Sequence, residues 1–187
     1  MLFPAWETFY VIVGSSGAAL TSIMFVVIAL VADFRSSAKQ MDAFGTPTIV
    51  HFCAVLMLSA ILTAPWPGTT GLRGALGLFG AAGVIYQVLV LRRTQHQDGY
   101  EMVFEDWLFH TILPFASYGG ILIAAIVLPQ RPVVVLFAIA AAAMTLLFTG
   151  IHNSWDTVTY IIVARWDKFS KDRKELASTK TETETDD

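Results

Sequence analysis

Histidine, aspartate and asparagine are scarce in an apolar chain, and here they cluster. The stretch GIHNSWDTVTY, residues 150–160, sets His152, Asn153, Ser154 and Asp156 within five residues. It closes an apolar run that begins at Val133, and Asn153 is the only asparagine in the sequence. His152 and Asp156 are four residues apart, a spacing that puts both side chains on one face of a helix. Asp106 and His110 repeat that spacing, with Glu105 beside them. His51 stands in a third apolar run. Neutral imidazole paired with carboxylate suits Zn, Fe, Mn or Cu, the carboxylate either ligating or orienting the ring. The candidate ligands are therefore His51, His110, His152 and Asp156. Asp106, Glu105, Gln87 and Asn153 are expected around them.

These residues must be positioned by helices in lipid. Hydrophobic residues make up 55% of the 187-residue chain and charged residues only 14%, well below the ~25% usual in soluble domains. Five runs are apolar enough to embed: 9–31, 47–64, 73–91, 107–128 and 133–163. A spanning helix needs about 20 apolar residues. The second run is the shortest, and the fifth is too long for a simple crossing. Backbone groups in lipid must be satisfied within the segment, so helices are the expected form. Thr46 offers an N-cap before Pro47 at a first helical position. The Pro- and Gly-rich separators at 64–71 and 128–133 read as tight turns. The expected fold is an all-α, polytopic five-transmembrane-helix bundle over residues 1–166, with a charged tail over 167–187. The Thr/Glu/Asp repeat that ends the tail reads as disordered.

Charge sets the orientation. Arg35, Lys39, Arg92, Arg93, Arg165, Lys168, Lys171, Arg173, Lys174 and Lys180 fall on one side, and only Arg73 and Arg131 on the other. The positive-inside rule puts the N-terminus outside and the C-terminus in the cytoplasm. The N-terminal MLFPAWET has no basic stretch and no cleavage site follows, so the first helix reads as a retained anchor. Short loops and an Ala-rich composition point to a bacterial inner membrane. Trp6, Trp66, Trp107 and Trp166 fall at helix ends, as an interfacial belt requires.

Depth follows from about 1.5 Å of rise per residue. His51 lies about 6 Å past Pro47, and His110 about 5 Å past Trp107. His152 lies roughly 29 Å past Val133, in a core of about 30 Å. Three imidazoles on three helices are thus expected near one level under the cytoplasmic face, with Gln87 and Tyr86 at similar depth. Pro114 cannot donate to the His110 carbonyl, which needs another partner.

Three function classes follow. The favoured one is a transition-metal site, or b-type haem held by two of the histidines and serving a redox partner. Conduction or transport of protons or cations by an oligomer is the alternative. A polar stripe of Thr145, Thr149, Thr159 and Ser117 would line its path. An accessory subunit whose polar cluster binds a protein at the cytoplasmic face is the third. Gly74, Gly77, Gly80 and Ala81 give one helix a small-residue face for packing or for a homo-oligomer. The basic residues form no stripe interleaved with aromatics, which excludes a nucleic-acid partner. The single cysteine, Cys53, excludes an intrachain disulfide. Nucleophile-elbow, P-loop and dinucleotide motifs are absent.

Overall fold

A computed structural model of the chain describes residues 3–31, 46–95 and 107–185. All regular structure among the described residues is helical. A 3-10 turn, Pro4–Trp6, leads into α1 (Glu7–Val31). Then come α2 (Thr46–Thr63), α3 (Thr69–Gln95) and, after a π-turn over Leu108–Ile112, α4 (Leu113–Val127). The last helix, α5, runs Pro132–Thr185. The chain divides into two compact units, Met1–Ser154 and Trp155–Asp187.

Four helical stretches are long and apolar enough to cross a membrane: Pro4–Ala29, Thr69–Arg92, Leu108–Val127 and Pro132–Thr159. The apolar stretch Pro47–Thr63 of α2 is shorter. These lengths are compatible with a membrane protein. Sequence punctuation accounts for the boundaries. Pro132 opens α5 at a position whose N–H needs no partner. Pro65 and Pro67 stop α2, and the Trp66 indole N–H ties the turn to the Ile61 carbonyl at 2.6 Å.

Within the first unit, α1 packs on α2 and α3 on α4. Small residues permit both approaches. A Cβ on Gly17 would lie 2.9 Å from the Phe52 carbonyl oxygen, so α1 and α2 meet there backbone to backbone. A Cβ on Gly80 would lie 2.7 Å from the Leu122 amide nitrogen, which fixes α3 against α4. Arg73 caps the far end of that pair by donating from Nε to the Ala125 carbonyl at 3.0 Å.

The first half of α5 is the most buried stretch. Over half of its apolar window, 56%, is inside the bundle, against 22–33% for the other three candidate spans. Its buried positions recur in pairs: Val135 and Leu136, Ile139 and Ala140, Ala142 and Ala143, Leu146 and Leu147. That recurrence follows the 3.6-residue period and draws a wide apolar stripe down the helix. Val133, Val134, Phe137 and Phe148 take the outer side. The same stripe continues into Thr149, Gly150 and Asn153, all buried. The polar end of α5 thus enters the core on the face that packs the helix.

Candidate functional site

Pro114 shapes the approach to the site. It has no N–H, so a regular α-helix here would leave the His110 carbonyl without its donor. The chain adopts a π-turn instead, and the Leu113 N–H reaches back five residues to the Leu108 carbonyl. The His110 carbonyl takes its hydrogen bond from another helix: the buried Gln87 side chain donates from Nε2 at 3.1 Å. One missing backbone proton therefore recruits a buried amide from α3. π-Turns inside α-helices are frequent at functional positions.

His51 is fully buried on α2, with its neighbour Thr48 one turn earlier also fully buried. Its Nδ1 lies 3.0 Å from the hydroxyl of Tyr118 on α4, a residue itself almost wholly buried. The Tyr118 ring sits where Gly83 of α3 has no side chain; any Cβ there would run into it. Nε2 of His51 has no hydrogen-bond partner among the described residues. A buried imidazole with one nitrogen fixed and the other bare is costly unless something else engages the bare atom.

The cluster on α5 sits nearby through its neighbours. The His152 ring lies against Phe109, the residue before His110, with centroids 3.6 Å apart. A Cβ on Gly150 would lie 2.5 Å from the ring of Phe52, the residue after His51. Asn153 is buried, and the Ser154 hydroxyl donates to the Gly150 carbonyl at 2.7 Å. Gly150 admits the Phe52 ring, His152 lies against Phe109 and Asn153 is buried, so the start of the cluster belongs to the packed end of α5.

The other sequence candidates divide as follows. Glu105 and Asp106 lie outside the described residues. Asp156 is exposed and belongs to the second unit. Among the described residues, no three His, Cys, Asp or Glu side chains come together to hold an ion. The hydroxyls of the proposed stripe are mostly satisfied by their own helix. Thr145 donates to the Ala141 carbonyl and Ser117 to the Leu113 carbonyl, both at 2.8 Å, and Thr159 to the Trp155 carbonyl. Thr149 differs: it is buried and its hydroxyl has no partner among the described residues. Of the small-residue face, Gly80 meets the Leu122 backbone and Gly77 comes within 3.8 Å of the Ala125 Cβ, both in α4 of the same chain. Gly74 meets nothing within 4 Å, and Ala81 is half-buried.

Tyr118 is the residue that sequence reasoning missed. The signal was present: His110, Pro114 and Tyr118 follow one another at steps of four, so they share a helix face. Comparison with known proteins finds no matching family model, no matching characterised protein and no matching solved structure.

Proposed function

We propose that this chain is a multi-pass integral membrane protein of the bacterial inner membrane that binds a transition-metal ion through His51. All five helices are embedded, the apolar stretch Pro47–Thr63 of α2 being the shortest, with the N-terminus outside and the C-terminus in the cytoplasm. The positive-inside count supports that orientation. The observation that carries the metal reading is the pose of His51. A ligating histidine characteristically has its second ring nitrogen held by a hydrogen bond, which fixes tautomer and ring orientation. Nδ1 of His51 is so held by Tyr118, and Nε2 is bare and buried.

His110, on the π-turn that leads into the helix carrying Tyr118, is assigned as the second ligand, and His152, against Phe109, as the third. His152 must release Phe109 to take part. Asp106, four residues before His110, is the first candidate for a carboxylate. An ion is favoured over haem on packing grounds. A porphyrin would have to displace Phe109 from His152 and Phe52 from Gly150, whereas a single ion needs only rotation of side chains. Such a site would supply Lewis-acid or one-electron chemistry at the cytoplasmic leaflet.

Elemental analysis of the purified protein, with an ultraviolet–visible spectrum, tests this. Stoichiometric metal without a Soret band is expected. His51→Ala should lose the metal, whereas replacing His96, the histidine in the sequence between the third and fourth apolar runs, by Ala should retain it. Metal-free protein that fails to take up Zn, Fe, Mn or Cu on dialysis refutes the reading.

A second reading, passage of protons or cations through an oligomer, draws on the Thr149 hydroxyl and Gln87 Oε1. Both are buried without partners among the described residues, and a file of waters would satisfy them. Ion flux in proteoliposomes, abolished by Thr149→Val, is its signature.

A further inference from the structure

We propose that the segment of α5 from Trp155 to Lys174 is a contact surface for anionic phospholipid. It rests on the reading that α5 leaves the bilayer on its cytoplasmic side. The second unit carries an unpartnered apolar face. Trp155, Ile162, Trp166 and Phe169 are all exposed, Trp166 by 73% and Phe169 by 58%. At 100° per residue these four fall within an arc of about 60°. The face begins inside the candidate span Pro132–Thr159 and continues ten residues beyond it, to Phe169.

Charge selects what covers that face. Between residues 165 and 174 the sequence holds Arg165, Lys168, Lys171, Arg173 and Lys174 against Asp167 and Asp172. Over the whole segment, with Asp156 included, the excess is two positive charges, which repels a second copy of the same segment and attracts an anionic surface. A basic cluster immediately beyond a membrane span is the composition that recognises anionic headgroups. The aromatic content agrees, since tryptophan concentrates at the bilayer interface where an aliphatic seam would not. Arg173 shows how the two chemistries combine. Its guanidinium lies 5.2 Å from the centroid of the Phe169 ring, so the cation is held at the edge of the apolar face. There the stem covers apolar surface while the head reaches phosphate.

The test uses the full chain in nanodiscs of phosphatidylcholine, with or without phosphatidylglycerol. Fluorescence of Trp166, isolated by difference against Trp166→Phe, is quenched either by aqueous acrylamide or by brominated lipid. With phosphatidylglycerol present, Trp166 is expected to be shielded from acrylamide and quenched by the lipid. Removing the anionic lipid, or replacing both Lys171 and Arg173 by Gln, should reverse this. Each basic residue near an anionic surface changes the equilibrium by about fivefold, so the double replacement shifts it about 25-fold. Trp166 open to acrylamide in both discs overturns the proposal. So does shielding that ignores lipid charge and comes with cross-linking between copies, which would assign the face to a second chain. The orientation is checked separately. If a membrane-impermeant thiol reagent labels an Asp187→Cys, Cys53→Ala protein from outside intact cells, the topology fails. The nanodisc result still stands in that case, because both faces of a disc are open.

Discussion

The contact between α3 and α4 makes the sharpest stability prediction, because two glycines on one helix differ in what a side chain would meet. A Cβ at Gly80 would lie 2.7 Å from the Leu122 amide nitrogen and 2.9 Å from its Cα, whereas a Cβ at Gly74 would meet nothing within 4 Å. Ordinary contact begins at 3.4 Å. The helices must therefore part by roughly 0.5–0.7 Å to admit the methyl group at position 80, since backbone atoms cannot rotate aside as a side chain does. Both Gly→Ala changes gain the same helix propensity, about 1 kcal/mol, so that term cancels in their difference. What remains is overpacking, about 1–3 kcal/mol. At about 2–4 °C per kcal/mol for a chain of this size, Gly80→Ala should melt about 2–12 °C below Gly74→Ala. Differential scanning fluorimetry in dodecylmaltoside measures it. Equal midpoints for the two variants would mean that α3 and α4 do not meet at Gly80, and the placement of Gln87 and Tyr118 would fall with that contact.

Other consequences follow from the polar layer. Tyr118→Phe removes only the hydroxyl that holds His51 Nδ1, and should weaken metal binding about 10–100-fold in equilibrium dialysis, with a stability loss of about 1–3 kcal/mol because Nδ1 is left buried without its partner. Unchanged affinity would show that Tyr118 does not orient the imidazole. Gln87→Leu should cost stability in the natural background and less in Pro114→Ala, where residue 114 regains an N–H for the His110 carbonyl. The coupling in that double-mutant cycle should be about 0.6–1.7 kcal/mol, the range found for interhelical hydrogen bonds in membranes. Zero coupling would separate Gln87 from the π-turn.

How much of this was legible in the sequence depends on whether the controlling interaction is local. The helices were legible because apolar length and proline position are local properties. Pro47 opens a helix for the same reason in the sequence as in the fold, since it lacks a donor that a first turn does not use; Pro132, read as part of the turn 128–133, opens α5 on the same ground. The orphaned His110 carbonyl was legible too, since Pro114 lies four residues on. Its partner was not, because Gln87 is 23 residues away on another helix and depth alone does not fix which way a side chain points. The hydroxyl stripe shows what spacing leaves open. Thr145, Ser117 and Thr159 share the types and spacing of a polar path, yet in apolar surroundings the nearest acceptor is the carbonyl one turn back on the same helix, and each hydroxyl takes it. Spacing therefore locates polar side chains on a face without saying that the face is wet.

The same distinction explains why His51 carries more weight than the denser cluster at 150–160. Ser154 and His152 lie among neighbours that their own packing explains: a backbone carbonyl and an aromatic ring. A polar residue whose surroundings satisfy it needs no ligand to account for its burial. His51 is held by a tyrosine from a helix 67 residues away in sequence, at a place only a glycine on a third helix leaves open, and still presents one bare nitrogen to the interior. Three helices thus cooperate to fix a ring in a single pose. Leaving a buried polar atom unmade costs about 1–3 kcal/mol. A leucine at position 51 would avoid that cost in a bundle held together by apolar packing. The expense is accounted for if the bare nitrogen has a partner in the working protein, and that inference stands on His51 alone, whichever residues complete the site around it.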